Sequence, residues 1–325
     1  MATTYPSFPR LQISCLEGRA HGTRHKQAQF QSLHEKLKNS SDAIKAAITA
    51  DSGHTTSEVE FEFSLALSEL RLHFNSLNLQ TELAIARKIE AGHDNIGKVR
   101  PAGIVYILPQ KQNLFYSVIS PLCAAIAAGN CVVVEVSLGP YWNRSVRLTK
   151  DEQLPQTVTQ VSSRLRKILP AALDADTIAI SEGRPPPDFM NQCLVVVQAD
   201  EEKLPQPVWG KVLRSPSSLR TAAVVDRTSN IEEAARAIAS SKLSFCGRSA
   251  YSPDLVLVNE FIAEQFLAAL VTHVAGPMTR TAPSKNFETK ASGKAEKVLR
   301  ETEKSDGGRI VLSGVKGSII EVQSR

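Results

Sequence analysis

The sequence lacks the cysteine spacing of a zinc cage and the even cysteine count of a disulfide framework, which sets aside two protein classes at once. Its five cysteines, at positions 15, 123, 131, 193 and 246, form no CxxC pair, and such sites depend on that spacing or on paired thiols. A reducing compartment is the expectation. No metal site is expected either. "HGTRH" sets His21 and His25 four apart, but Gly22, the flanking arginines and the missing third ligand make it a solvated loop.

Long apolar runs are also scarce. The most apolar window, "VISPLCAAIAAGNCVVVEV", is interrupted by Pro121, Gly129, Asn130 and Glu135, so it reads as helix, turn and strand and no membrane span is expected. Basic blocks are missing as well. Lys and Arg number 38 against 33 Asp and Glu, for a net charge of +5. The basic residues are scattered among acidic ones without interleaved aromatics, which argues against nucleic acid as a partner. The first 28 residues carry Arg10, Arg19, Arg24 and Lys26 against Glu17 alone, yet no clear amphipathic run of the kind a transit peptide needs. A cytoplasmic, soluble protein is the expectation, and 325 residues favour two domains.

What the sequence does contain is ordered alternation. From Gln29, "FQSLHEKLKNSSDAIKAAITA" repeats at helical spacing, and two more helical stretches follow at about 57–75 and 79–91. After Pro101 short β-branched runs alternate with helices: "AGIVYIL", a helix over 113–128, "CVVVEV", a helix over 155–169, "DTIAIS" and "CLVVVQ". This pattern predicts an α/β fold with parallel strands and crossover helices. "RPPPDF" is a loop on this reading, because consecutive prolines supply no ladder donors. A second block holds "TAAVVD", the helix "NIEEAARAIASS", the strand "DLVLVN", a helix over 260–273, a charged helix near 287–303 and "RIVLSG". The predicted division is a helical segment over 1–100, a Rossmann-type cofactor domain over 101–214 and a partial α/β catalytic domain over 215–325.

Four ordered stretches carry a resemblance: "RPAGIVYILP", "SPLCAAIAAGNCVVVEVS", "AAVVDRTSNIEEAARAIA" and "GRSAYSPDLVLV". Together they resemble the aldehyde dehydrogenase superfamily, in its shorter class without an N-terminal oligomerisation extension. That resemblance implies a cysteine nucleophile, an asparagine holding the oxyanion, a glutamate activating water, and hydride transfer to NAD or NADP. The residues at those places are different here. Counting through "GRSAYSPD" puts the nucleophile position on Ala250, and a methyl group attacks nothing. Cys246 falls before the neighbouring glycine, where a small packing residue is expected. It is the one fallback candidate for catalysis. Counting back from "DRTSNIEEA" puts the general base on Pro216 and the flexible glycines on Ser218 and Leu219. The oxyanion asparagine would fall on Lys111, or on Asn113 if a small gap intervenes.

On the cofactor side the resemblance puts Glu135 where a lysine would hold the adenosine ribose, and "VQADE" where a phosphate-proximal turn would lie. Losing one charge-assisted hydrogen bond costs about 1.5–3 kcal/mol, so no cofactor is expected. The chain also stops after "RIVLSGVKGSIIEV", short of the family's further strands, so a C-terminally truncated catalytic sheet is expected, covered by a homo-oligomer partner or another protein. Two other motifs are chance on their context: "SGVK" has S-x-x-K spacing without companion motifs, and "SDGGRI" precedes a strand where a phosphate cradle must open a helix. The functional expectation is an aldehyde dehydrogenase-like protein that is catalytically degenerate and acts by binding. The alternative is an active NAD- or NADP-dependent oxidoreductase converting a small aldehyde to an acid with Cys246 as a displaced nucleophile.

Overall fold

A computed structural model of the chain describes residues 8–94, 99–110, 113–136, 159–198, 211–214, 221–247, 252–279, 308–314 and 317–322. The chain divides into two compact units, Met1–Ser218 and Leu219–Arg325.

The first unit opens with helices. α1 (Pro9–Glu17) has Pro at its start and ends where Gly18 takes a left-handed turn at φ 70°. The N-terminal region therefore holds an ordered helix, although no clear amphipathic run was expected there. α2 (Thr23–Asn39) and α3 (Ser41–Ser52) divide the stretch expected as continuous helical spacing. The break falls at Ser40, whose ψ of 11° departs from helical geometry. α4 (Thr56–Asn75) begins at a capping box, in which the Glu58 N–H donates to Thr55 Oγ1 and the Thr55 N–H to Glu58 Oε2; such a box satisfies two of the donors a helix start leaves open. α5 (Leu79–Ala86) completes the lead-in.

β1 (Ile104–Leu108), α6 (Leu114–Ala127), β2 (Cys131–Glu135), α7 (Gln160–Ala172), β3 (Ile178–Ser181), α8 (Pro187–Met190), β4 (Cys193–Val197) and β5 (Val212–Arg214) follow. Pro121 lies inside α6 without ending it, and "RPPPDF" contains the single helical turn α8 where a loop was expected. All strand pairs are parallel, in the order β3-β2-β1-β4-β5. Parallel sheets are covered on both faces, and the period of two along each strand sorts this core into two layers. Val105, Ile107, Val132 and Val134 face the layer built by α2, α3, α4, α6 and α7. Ile104, Tyr106, Leu108, Cys131, Val133, Cys193, Val195 and Val197 face Leu11 of α1 and Phe189 and Met190 of α8. Each fully buried Val, Leu or Ile contributes about 1.5–3 kcal/mol, so the strand runs and the helical residues packed on them together stabilise this unit.

The turn between α6 and β2 depends on Gly129, at φ 79°, where a Cβ would lie 3.1 Å from Lys26 Cε. Asn130 fixes the same turn: its Nδ2 donates to Ala125 O at 3.2 Å, and its Oδ1 accepts from the Gly103 N–H at 3.1 Å. α7 is held from outside the helix, since Asp51 accepts from the N–H groups of both Gln160 and Val161 at 2.9 and 2.8 Å.

In the second unit β6 (Ala222–Val225), α9 (Ile231–Leu243), β7 (Leu255–Val258) and α10 (Ala263–Thr279) form a parallel pair with helices on one face. The Asn230 side chain caps α9 by accepting from the Glu233 N–H. β8 (Gly308–Gly314) and β9 (Gly317–Val322) form an antiparallel hairpin. The charged helix expected near 287–303 lies outside the described residues.

Candidate functional site

The strand order determines where a ligand would bind to the first unit. The chain leaves β1 toward β2 and β3, then returns to the other side of β1 as β4 and β5. The carboxyl ends of β1 and β4 therefore flank a topological switch point, the usual ligand crevice of open α/β sheets. The ladder closes there through the Gln198 N–H, which donates to Leu108 O at 3.0 Å. α6 starts at the same edge, with Asn113 as its N-cap residue.

Asn113 does not cap the helix through its side chain. The Tyr116 N–H, which an N-cap side chain would ordinarily take, donates instead to Glu62 Oε1 of α4 at 3.2 Å. The entry to α6 is tied down by the backbone: the Ser117 N–H donates to Asn113 O at 2.9 Å, and Ser117 Oγ donates to Gln110 O at 3.0 Å. Among the described residues, Asn113 Oδ1 and Glu62 Oε2 are both buried without a hydrogen-bond partner. Desolvation pushes the Glu62 carboxyl up to about 7, against the single favourable bond from Tyr116.

A second polar group lies at the carboxyl ends of β2 and β3. Glu135, the last residue of β2, is 4% exposed. Its Oε2 accepts from the fully buried Tyr106 hydroxyl at 2.5 Å and lies 3.8 Å from Arg184 Nε. Burial pushes the Tyr106 phenol upward, and the Glu135 charge and hydrogen bond push it further. Ser181, at the end of β3, lies beside the Tyr106 phenol and donates to Gly183 O. Three adjacent strands thus turn a phenol, a carboxylate and a hydroxyl toward each other, with Arg184 balancing the charge.

Of the residues singled out from the sequence, Glu135 and Asn113 stand at this edge of the sheet. Lys111, Pro216, Ser218, Leu219, Ala250 and the "ADE" of "VQADE" lie outside the described residues. The backbone of Cys246 lies in a 3-10 turn, Ser244–Gly247, directly after α9, and the preceding Phe245 has a positive φ of 52°. His21 ends a short 3-10 turn while His25 is in the first turn of α2, and no group of three metal-ligating side chains occurs among the described residues. No described helix is long and apolar enough to cross a membrane.

The sequence reading missed Tyr106, Ser181, Arg184 and Glu62. Tyr106 is the one polar-tipped residue in "IVYIL", and that was the available signal: a buried phenol needs a hydrogen-bond partner. Arg184 was read only as part of a proline-rich loop.

The profile of the Aldehyde dehydrogenase family matches residues 19–167. Among curated relatives, mouse Aldehyde dehydrogenase family 3 member A2 is 25% identical over 274 residues, covering 79% of this chain and 52% of that protein. The 4,4'-diaponeurosporen-aldehyde dehydrogenase of Staphylococcus aureus is 27% identical over 188 residues, covering 53% of this chain and 36% of that protein. The chain thus spans about half the length, or less, of these relatives. Among solved structures, a NAD-dependent benzaldehyde dehydrogenase from Corynebacterium glutamicum superposes with a TM-score of 0.62 at 18% identity, over 97% of this chain and 69% of that one. A glyceraldehyde-3-phosphate dehydrogenase from Methanocaldococcus jannaschii, complexed with NADP, gives 0.64 at 13% identity, over 97% and 70%. The fold is that of the aldehyde dehydrogenases, and the profile and relatives support membership of that superfamily.

Proposed function

We propose that this chain is an aldehyde dehydrogenase-like protein without aldehyde-oxidising turnover, which acts by binding. The observation that carries this reading is the state of Glu135. In the family resemblance its position belongs to a lysine that holds the adenosine ribose. Here it carries the opposite charge, is buried, and is already bonded to Tyr106 at 2.5 Å and paired with Arg184. A carboxylate turned into the protein does not fit the lysine's role, and freeing it would break a charged hydrogen bond worth about 1.5–3 kcal/mol. The resemblance adds Ala250 at the nucleophile position and Pro216 at the base position. Losing a nucleophile alone costs on the order of 10⁴–10⁶ in rate.

Association belongs to the same reading. In the second unit the face of β6 and β7 turned away from α9 and α10 leaves Val224 74%, Leu255 48% and Leu257 52% exposed. Parallel strands rarely leave such a face open, and a homo-oligomer or another protein chain covers it on this account.

A second reading has its own support. Phe245 is held at a positive φ directly before Cys246, and strained backbone of this kind clusters at functional sites. On that reading Cys246 is the nucleophile and the chain uses NAD or NADP to convert a small aldehyde to an acid. One assay separates the two: production of NADH or NADPH over a panel of aldehydes by the wild type and by Cys246→Ser. The first reading expects no turnover from either. Steady reduced cofactor from the wild type, abolished by Cys246→Ser, establishes the second.

A further inference from the structure

Cys15, Cys131 and Cys193 come from three different elements and meet at the amino ends of the central strands. Cys131 and Cys193 begin β2 and β4, and both pair in register with Ile104 of β1, one on each side. Both belong to the core layer against which α1 packs, with Cys15 beside them. Gly103 makes room for this approach: a Cβ built there would lie 3.5 Å from Cys15 Sγ, and its φ of 107° is one that side chains resist. The Gly103 carbonyl in turn accepts from the Cys131 N–H at 3.0 Å. The Cys15 thiol acts on the Cys131 thiol and, after burial, raises it further. Cys193 is engaged elsewhere, donating its S–H to Phe189 O at 3.2 Å. Cys15 is partly exposed, whereas Cys131 and Cys193 are buried.

We propose that Cys15 and Cys131 are a redox-sensitive thiol pair that closes to a disulfide and clamps α1 onto the sheet. The oxidant is a hydroperoxide, which reaches the partly exposed Cys15. Its O–O bond breaks, Cys15 S–H becomes S–OH, and the peroxide leaves as an alcohol or water. The Cys131 sulfur then attacks the Cys15 sulfur. The S–S bond forms, the S–O bond breaks, and the hydroxyl departs as water with the Cys131 proton. A thiol reductant reverses the closure. Cys15 Sγ lies over Gly103, whose carbonyl holds the Cys131 N–H, so both side chains stand at one place on the sheet, where a bond of about 2.05 Å can close. Burial pushes the Cys131 thiol up to about 12, which makes closure slow and confines it to sustained oxidation.

The test uses the full chain, treated with tert-butyl hydroperoxide and digested without reductant. Mass spectrometry is expected to find a peptide linking Cys15 to Cys131, absent after dithiothreitol and absent in Cys15→Ser. In the linked protein the amides of α1 are expected to exchange at least about tenfold more slowly than in the reduced protein, because local opening of the helix is blocked. Accumulation of Cys15 sulfinic acid beside a free Cys131 overturns the proposal. So does a link from Cys15 to Cys193, to Cys246 or to another chain, and so does a Cys15–Cys131 link that leaves α1 exchange unchanged.

Discussion

Replacing Glu62 by Gln is expected to stabilise the first unit at pH 8 and to leave it nearly unchanged at pH 5. Glu62 lies between α4 and the start of α6 at 3% exposure, with one oxygen on the Tyr116 N–H at 3.2 Å and the other unsatisfied among the described residues. Desolvation raises its folded carboxyl from the ordinary 4.5 to about 7. The folded state therefore holds a proton that the unfolded chain releases at lower pH. Stability from this group is full below about pH 4.5 and falls as the pH rises toward 7, after which it levels off. The gap between 4.5 and about 7, at about 1.4 kcal/mol per pH unit, sets an upper bound of about 3.5 kcal/mol at pH 8. A neutral amide avoids that cost but loses a charge-assisted bond from Tyr116, so a net gain of about 1–2 kcal/mol is expected. Urea unfolding read by hydrogen exchange of the α4 and α6 amides scores only the unit that contains Glu62. Taking the variant minus wild type at each pH cancels every other titrating group. Equal differences at pH 5 and pH 8, or a variant that is less stable at pH 8 than at pH 5 relative to wild type, refute the reasoning.

Two further substitutions test the packing around the candidate site. Tyr106→Phe removes the hydroxyl that donates to buried Glu135 and should destabilise the first unit by about 1.5–3 kcal/mol in the same urea assay; adding Glu135→Gln should recover part of that loss, because a buried amide tolerates the missing donor better than a carboxylate does. Asp51→Ala removes the acceptor of two N–H groups at the start of α7 and should cost about 1–2 kcal/mol, with the α7 amides the first to lose protection.

The parts of the fold legible in the sequence were those governed by local pattern. "GIVYIL", "CVVVEV" and "CLVVVQ" are β-branched runs too short for helices, and each became a central parallel strand. The Ser40 break was not legible, because apolar residues keep helical spacing through it and the turn is a tertiary decision made by packing α2 and α3 separately on α7. α1 escaped notice because nine residues with only Leu11 and Ser14 buried carry little periodic signal. β5 is three residues long and owes its pairing to β4. The site was legible only where one residue announced itself, as the acid at Glu135 did. Its partner Tyr106 lies 29 positions away and reaches it through strand register. Cys15 and Cys131 are farther apart still, and only the docking of α1 over Gly103 brings them together.

On the proposed reading, the dinucleotide site of this fold is turned inward at Glu135. Isothermal titration calorimetry of the purified chain with NAD and with NADP tests it most directly. No saturable heat is expected with either nucleotide up to about 1 mM, a binding free energy weaker than about −4 kcal/mol. A one-to-one isotherm with a dissociation constant of about 10 μM or tighter contradicts it.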